Sequence, residues 1–213
     1  MSARYIGPKE KIERRLGEKL FLKGERSYSS KAAIVKKPYP PGMHGRKTKN
    51  RRFSEYGLQL ISKQKIRAIY KVLEKQFRKY IDQSLKSKGD SGEALVQNLE
   101  RRLDNVVFRM GFSDARDTAR QLVSHGHFLV NEKPINIPSS RVKVGDIIKI
   151  KPNNIGNRYF SSFLPRFFKK YQPPSWVDMD KENFIGRVKN LPNSAESGLD
   201  HKDIQAIIEF YSR

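Results

Sequence analysis

Apolar residues recur at helical spacing in two stretches of the chain. Over residues 56–81 they fall every three or four positions, which predicts a helix with one buried face. The same spacing over residues 94–111 predicts a second helix, ending at Gly111, a residue that readily forms a left-handed cap. Ser113 is placed to cap a shorter helix that ends near Ser124. Helices therefore dominate the predicted structure up to this point.

Short alternating segments follow, bounded by turns that contain Gly, Asn and Pro. They predict strands at residues 127–130, 135–137, 141–144 and 147–150. Two packed helices followed by a small curled antiparallel sheet form a compact unit. The predicted fold class is therefore α+β.

Composition divides the chain into segments. Pro and Gly interrupt residues 1–55 too often for long elements, so we expect a basic, irregular arm that becomes ordered on binding. A Ser- and Gly-rich stretch at residues 82–93 predicts a hinge. The expected segments are the arm at 1–55, a helical part at 56–90, a compact module at 94–155 and a C-terminal extension at 156–213.

Charge then narrows the choice of partner. Lys and Arg number 44 against 22 Asp and Glu, and the net charge is +22. Residues 1–90 alone hold 25 basic and 8 acidic residues. Such an excess destabilises a compact state unless a polyanion neutralises it. Aromatic residues interleaved with these charges favour nucleic acid over a membrane surface or an acidic protein.

Several classes of protein are excluded by what the sequence lacks. It has no cysteine, so a disulfide framework and a thiolate metal site are impossible. Residues 1–30 contain acids and no long apolar run, unlike a signal or transit peptide. No stretch approaches the ~18 apolar residues of a membrane span. We therefore expect a soluble, cytoplasmic protein with no membrane partner.

Two groups of basic residues in the first 90 positions are candidate phosphate contacts. The first follows a rigid Pro-Pro-Gly turn and comprises Arg46, Lys47, Lys49, Arg51 and Arg52. The second recurs every fourth position along the predicted helix and comprises Lys63, Arg67, Lys71, Lys75 and Lys79. Only Glu74 interrupts the second group, so few intrahelical ion pairs are available to neutralise it. An ordinary solvated helix face is the alternative.

Basic residues also punctuate the helices of the predicted module. A guanidinium group binds phosphate at two points and stacks on exposed bases. The candidate RNA contacts are Arg116, Arg120 and His125. Arg101 and Arg102 have acids nearby, Asp104 among them, so ion pairing is the alternative for these two. His127 lies two residues from His125, but without a third ligand nearby we expect RNA contact or packing rather than a metal site.

A run of aromatic residues between Phe160 and Trp176 has two interpretations. It is either a surface on which bases stack, or an inter-domain core or protein interface. We expect the second, because Phe and Trp are most often buried.

Two stretches of the module resemble a known RNA-binding domain. Residues 99–112, LERRLDNVVFRMGF, resemble the opening of the S-four module, and residues 119–131, ARQLVSHGHFLVN, resemble its continuation. Five further blocks are similar to the bacterial ribosomal protein S-four family. They are residues 19–26, 38–45, 56–60, 70–78 and 208–213. Because the blocks span nearly the whole chain in order, the chain is identified as a member of this family.

The resemblance implies a structural role in translation. Members of the family bind small-subunit ribosomal RNA early and nucleate assembly of the subunit body. They contact ribosomal protein S-five and other small-subunit proteins beside the channel through which mRNA enters, and the S-five contact influences translational accuracy. The implied location is the ribosome in the cytoplasm, and no homo-oligomer is expected.

The resemblance also implies how the domains are connected. The family has a mostly helical N-terminal domain into which the S-four module is inserted. The C-terminal segment at about 200–213 is then expected to pack back on the first domain. Ile204, Ile207 and Ile208 have the apolar spacing that such packing requires.

One departure from the family concerns zinc. Many members hold a zinc ion near the N-terminus with four cysteines. The corresponding positions here are Glu10, Glu13, Ser27 and Ala32. Two carboxylates, a hydroxyl and a methyl group cannot form a closed structural zinc site, so no cofactor is expected. We expect Glu10 and Glu13 to pair with nearby Lys and Arg instead, with RNA completing the stabilisation.

The enzymatic alternative is an RNA-modifying enzyme that carries the same module, such as a pseudouridine synthase. Its catalytic aspartate would be Asp104, in Arg102-Leu103-Asp104. The remaining chain is too short for a catalytic domain, and no Gly-rich phosphate loop follows a strand. A DNA-binding architectural protein would need a groove-reading helix, which the sequence does not predict. A non-enzymatic RNA-binding protein is therefore the favoured prediction.

Overall fold

The computed structural model of the protein describes residues 5, 7–48 and 52–212. Lys49 and Arg51 lie outside the described residues, as does the side chain of Lys47. The chain forms two compact units. The first comprises residues up to Leu95 together with Leu199 onward, and the second comprises Val96–Gly198.

Most of the α-helices precede the first strand, and the strands fall together in the second half of the chain, which is an α+β arrangement. The α-helices are α1 (Lys9–Leu16), α2 (Glu25–Tyr28), α3 (Ala33–Lys36), α4 (Glu55–Tyr70), α5 (Glu74–Leu85), α6 (Ser91–Glu100), α7 (Leu103–Arg109), α8 (Arg116–Ser124), α9 (Leu164–Lys170) and α10 (His201–Ser212). The strands are β1 (Phe128–Val130), β2 (Lys133–Pro134), β3 (Ile147–Ile150), β4 (Val177–Asp180) and β5 (Ile185–Val188). Among the described residues, no helix is both long enough and apolar enough to cross a membrane.

The helix predicted over residues 56–81 is wrong as a single element. The Ser54 hydroxyl accepts a hydrogen bond from the Gly57 amide at 3.2 Å and so caps α4. The chain then leaves the helix at Lys71, whose φ of 51° is left-handed. The break brings Glu74, the first residue of α5, back to the end of α4, where its carboxylate accepts hydrogen bonds from Lys63 and Arg67.

The C-terminal helix α10 packs against α4 in the first unit, as the family resemblance implied. Ile204 and Ile207 are buried. The Ser62 hydroxyl donates to Asp203 at 2.7 Å, and the Lys65 ammonium lies 2.6 Å from the same carboxylate. Apolar burial and one shared carboxylate therefore fix this contact.

The expectation of an irregular arm over residues 1–55 is corrected by α1, α2 and α3, which lie within it. Leu20, Ala32 and Ile34 are buried among these short helices. The sequence predicted no long element here, and each helix is indeed eight residues or shorter. What the spacing of Pro and Gly could not show is that short helices still share a buried core.

The second unit is an antiparallel sheet covered by helices. The strand order is β2-β1-β3-β5-β4. Its core is formed by buried apolar residues of both layers, including Leu103, Val107, Met110, Phe112, Phe128, Ile148, Phe160, Leu164, Phe168, Trp176 and Val188. The aromatic run therefore supplies core to this unit, at Phe160, Phe168 and Trp176.

The helix predicted over residues 94–111 is also two helices, α6 and α7. The chain is extended at Arg102 (φ −70°, ψ 136°), where it bridges to Arg141 in antiparallel fashion. This pairing replaces the strand predicted at 141–144. The left-handed cap at Gly111 is confirmed by a φ of +84°, and a Cβ there would lie 2.4 Å from the Tyr171 ring.

The expected end of the module at residue 155 is too early. Strands β4 and β5 come from the segment predicted as a separate extension, and they join the same sheet through β3. The hairpin turn after β1 is found at Asn131 and Glu132, both with positive φ. Its second strand is β2, directly after the turn, rather than residues 135–137.

Candidate nucleic-acid interface

The predicted row of basic residues from Lys63 to Lys79 is divided by the break between α4 and α5. Lys63 is buried, with 9% of its surface exposed, and its ammonium lies 3.2 Å from Glu74. The same ammonium lies 4.7 Å from the centre of the Phe210 ring, within cation–π range. Arg67 donates to the other oxygen of Glu74 at 2.5 Å. The prediction that Lys63 faces outward is wrong, because Lys63 is buried against Glu74, whereas Arg67 is paired with the same carboxylate but keeps 28% of its side chain exposed.

Glu74 is the centre of this cluster. Its carboxylate also accepts a hydrogen bond from the Tyr211 hydroxyl of α10 at 2.5 Å. Partial burial alone would raise the pKa of Glu74. The Tyr211 hydrogen bond and the charges of Arg67 and Lys63 outweigh it and hold the pKa below its ordinary value. The carboxylate is therefore ionised and joins α4, α5 and α10.

The rest of the row remains accessible. Lys75 and Lys79 are exposed on α5, and Arg78 between them is exposed as well. Two further exposed lysines, Lys86 and Lys88, follow the end of α5. Lys71 lies at the break itself and is partly exposed. The accessible charge on this surface thus begins near residue 75 rather than at residue 63.

The Pro-rich loop presents Arg46 through contacts with an aromatic ring. The guanidinium of Arg46 lies 5.4 Å from the centre of the Tyr39 ring, and that of Arg14 lies 4.9 Å from it. The Arg14 Nε donates to the carbonyl oxygens of Lys37 and Tyr39, both at 3.0 Å. Arg14 therefore fixes the loop from behind, while Arg46 is exposed.

Electrostatics and close packing support the same loop. A hydrogen bond with Arg46 and the charges of nearby cations lower the pKa of Tyr39. A Cβ at Gly45 would lie 1.9 Å from the Pro40 carbonyl oxygen, so only glycine fits this approach. Arg52, beyond the loop, is also exposed.

In the second unit, the arginines form an internal network around two buried carboxylates. Glu100 is fully buried and accepts two hydrogen bonds from Arg109, at 2.8 and 2.9 Å. Asp104 accepts two from Arg102, at 3.0 and 2.7 Å, and one from Arg120 at 2.6 Å. The alternative of an ion pair between Arg102 and Asp104 is therefore the one observed.

Arg116 and Arg120 belong to this network rather than to an open surface. Their side chains are 18% and 14% exposed. The Arg116 Nε donates to the Asn105 side-chain oxygen at 2.7 Å, and its guanidinium lies 4.5 Å from the centre of the Phe108 ring. The expectation that these arginines are freely available to RNA is corrected, because buried acids and a ring occupy them.

The two histidines differ in exposure, because His125 is exposed and His127 is partly buried. His125 is exposed, and its ring centre lies 6.0 Å from that of His127. Burial, His125 and Lys151 together lower the pKa of His127, so its ring is neutral near pH 7. The RNA contact predicted for His125 is sterically available and stays a prediction.

Sequence comparisons place the chain among known proteins. A profile described as "Ribosomal protein S4/S9 N-terminal domain" matches residues 4–100, and the profile "S4 domain" matches residues 101–148. The "Small ribosomal subunit protein uS4" of Caldicellulosiruptor saccharolyticus is 47% identical over 211 residues, which is 99% of this chain and 100% of that protein. The uS4 proteins of Thermosipho melanesiensis and Aquifex aeolicus are 47% and 46% identical, each covering 99% of this chain and 100% and 99% of their own.

The chain belongs to the uS4 family. The S4 domain match ends at residue 148, whereas the compact unit that contains it continues to Gly198. In this uS4 protein, strands β4 and β5 therefore complete a sheet that the domain match covers only in part.

The four positions that the family resemblance matches to zinc ligands make other contacts in the structure. Glu10 pairs with Arg26 at 3.0 Å, as expected. The ion pair predicted for Glu13 is not found among the residues that the structure describes. It is buried, and its Oε1 accepts hydrogen bonds from the amides of Leu20 and Leu22, both at 3.2 Å.

The other two positions supply a hydroxyl and a methyl group. The Ser27 hydroxyl accepts from the Lys23 amide at 3.1 Å, and Ala32 is buried. Among the described residues, no cluster of three or more His, Asp or Glu is arranged to hold a metal ion. This donor set does not fit zinc, since its oxygen atoms already serve backbone amides or an arginine.

The roles of Arg14 and Glu100 were not predicted from the sequence. Arg14 looked like one of many cations of the basic arm, and only the fold shows that it fixes the Pro-rich loop. Glu100 carried a usable signal, because it is a lone acid directly before two arginines.

Proposed function

We propose that this chain is a structural, non-enzymatic component of the small ribosomal subunit that binds its ribosomal RNA directly and early in assembly. The observation that carries the proposal is the full-length similarity to uS4 proteins, at 47% identity over 99% of the chain. The exposed cations of the first unit supply the physical basis. They include Arg46, Arg52, Lys75, Arg78 and Lys79.

Binding follows from neutralising phosphate charge. Each cation that contacts a phosphate releases condensed counterions, so affinity falls as salt rises. The second unit contributes shape: its helices are fixed by buried ion pairs, and a rigid surface can match structured RNA without reading bases. Four guanidinium groups share the carboxylates of Glu100 and Asp104, so this region keeps a positive excess.

We further propose the assembly partners that the family resemblance implies. These are ribosomal protein S-five, other small-subunit proteins, and mRNA near the channel through which it enters the subunit. The contact with ribosomal protein S-five influences translational accuracy. The protein acts on the ribosome in the cytoplasm, without zinc, without a membrane partner and without forming a homo-oligomer. The contacts of Glu13 and Ser27 with backbone amides support the zinc-free form.

An enzymatic role is disfavoured by the surroundings of Asp104. This carboxylate is 5% exposed and binds both Arg102 and Arg120. A catalytic aspartate has to reach a substrate, and this one is enclosed by its partners. The structure of the cluster therefore supports a packing role for Asp104.

The test is filter binding of the purified protein to small-subunit ribosomal RNA, titrated with salt and competed with tRNA and duplex DNA. We expect tight binding that survives both competitors, because the junction shape of the RNA is recognised along with its charge. Equal displacement by every polyanion would overturn the proposal.

A further inference from the structure

An exposed aromatic pair in the first unit has no role in its core. The rings of Phe21 and Tyr28 are stacked, with centres 4.8 Å apart and planes inclined by 29°. Phe21 is 45% exposed and Tyr28 is 74% exposed. Apolar rings on a surface lose the stabilisation that burial would give them, so their exposure requires an explanation.

The backbone conformation of Phe21 is also unusual. Its φ of 53° is left-handed, a conformation that bulky residues rarely adopt. Such outliers persist only where surrounding contacts impose them, and they concentrate at functional sites. Phe21 therefore has both an exposed apolar ring and a backbone conformation that such a residue rarely adopts.

Hydrogen bonds to two buried side chains hold the backbone around Phe21 in this conformation. The Glu13 carboxylate, itself 3% exposed, accepts from the amides on both sides of Phe21, at Leu20 and Leu22. The Ser27 hydroxyl accepts from the next amide, at Lys23. Leu20 points into the core at 4% exposure. With its neighbours fixed in this way, Phe21 faces solvent and meets Tyr28.

We propose that the Phe21–Tyr28 pair is a stacking platform for an unpaired base of RNA, a role that rests on the proposed function and names one site within it. Tyr28, the more exposed ring, offers its outer face, and Phe21 supports it from the other side. Base–aromatic stacking tolerates any sequence, since every base has a π-face.

The charge of the surrounding residues favours RNA over a protein as the partner that binds the aromatic pair. Exposed Lys19 and Lys23 lie two residues on either side of Phe21, and exposed Lys31 follows Tyr28 by three residues. Arg26, also exposed, is paired with Glu10. Between residues 19 and 31 the sequence contains a single acid, Glu25. Aromatic rings set among cations suit single-stranded nucleic acid, whereas lysine is depleted from protein interfaces.

The experiment compares Tyr28→Leu with Tyr28→Phe in equilibrium binding to small-subunit ribosomal RNA across a salt series. Tyr28→Leu removes the ring and should weaken binding roughly ten-fold without changing the salt slope. Tyr28→Phe keeps the ring and should bind within about two-fold of the unsubstituted protein. The high exposure of Tyr28 makes it the safer position to vary, because few contacts of the fold depend on it.

Tyr56→Leu is the matched control, since Tyr56 is 59% exposed in the same unit and also contacts a second ring, Phe210. Equal losses in Tyr28→Leu and Tyr56→Leu would indicate a general effect of apolar surface and would overturn the platform. A second measurement is photo-crosslinking of thiouridine-substituted RNA, with the expected crosslink in the peptide that contains Tyr28.

The outcomes separate the two proposals. If the unsubstituted protein shows no preference for its ribosomal RNA, the proposed function itself fails. If it binds selectively and Tyr28→Leu binds equally well, the platform is wrong while the function stands.

Discussion

The basic residues of the two units are used in opposite ways. On α5 of the first unit, Lys75 and Lys79 are exposed. In the second unit, Arg116 and Arg120 are less than one-fifth exposed and bind buried polar groups. Positive charge on a helix is therefore exposed to solvent in one unit and paired within the fold in the other.

The position of acids explains the difference. In the second unit, two buried carboxylates lie within the reach of four arginines, and each draws its partners inward. In the first unit, the partly exposed Glu74 pairs with Lys63 and Arg67. Ion pairing therefore separates cations that are neutralised within the fold from cations that stay exposed, such as Lys75 and Lys79.

The largest expected effect comes from removing a buried acid. Asp104→Ala leaves Arg102, only 4% exposed, without its bidentate partner. Breaking a buried ion pair in this way destabilises a protein by about 3–5 kcal/mol. Urea unfolding monitored by circular dichroism measures the loss.

The matched control is Asp178→Ala, which removes an exposed acid paired with Lys189 at 3.2 Å in the same unit. Exposed pairs contribute ~0–1 kcal/mol, so this variant should unfold almost as the unsubstituted protein does. Similar losses in the two variants would contradict the structural role assigned to Asp104.

The next largest effect is expected at Glu13. Glu13→Ala leaves the amides of Leu20 and Leu22 without their acceptor and should reduce the free energy of unfolding by about 1–3 kcal/mol. Glu13→Gln retains a side-chain oxygen at the same place and should lose less. Thermal unfolding of both variants checks this order, and a larger loss for Gln than for Ala would argue against amide capping.

Substitutions of exposed cations should change the salt dependence of binding rather than stability. Replacing Arg46 and Arg52 together by Ala should reduce the slope of log affinity against log salt by roughly one to two. Lys63→Met is the contrasting variant, because Lys63 is buried against Glu74 and should leave that slope unchanged. An altered slope for Lys63→Met would mean that the row predicted from the sequence does face RNA.

The smallest effect concerns pH. The pKa of Glu74 is lowered in the folded protein, so its ionised form stabilises the fold above the ordinary carboxyl pKa. That contribution is lost as pH falls through the lowered folded-state pKa. The stability difference between the unsubstituted protein and Glu74→Gln should therefore be constant near neutral pH and shrink below about pH 4.5. Urea unfolding at a series of pH values tests the direction, and a difference that grows in acid would contradict it.

Much of the fold was predictable because local signals and tertiary structure agree. Alternation near residues 127–130 and 147–150 corresponds to β1 and β3, and Gly111 has the left-handed φ expected of a helix cap. The breaks at Lys71 and Arg102 were not predictable, since helical spacing continues through both. The break at Arg102 is fixed by distant residues, because residues 101–103 pair with residues 140–142. At Lys71 the chain instead closes the helix with a left-handed residue that its side-chain type does not favour.

The sequence predicted which basic residues could belong to the candidate interface, but not which of them face solvent. The sequence identified the basic residues of α5 and the Pro-rich loop, and Arg46, Lys75 and Lys79 are indeed exposed. Spacing alone could not separate these from Lys63, because the distinction depends on where Glu74 returns after the break. Aromatic residues among cations were a sequence signal in this region, but the stacking of Phe21 on Tyr28 was not predictable, since the left-handed φ of Phe21 depends on hydrogen bonds to Glu13.

Lysine footprinting on the complex with small-subunit ribosomal RNA tests most directly whether exposed and internal cations differ as described. Each lysine is acetylated with and without RNA, and the extent of reaction is read by mass spectrometry. We predict that RNA protects Lys75 and Lys79, while Lys63 stays unreactive in both states. The account would be contradicted if RNA left Lys75 and Lys79 unprotected and instead protected a reactive Lys63.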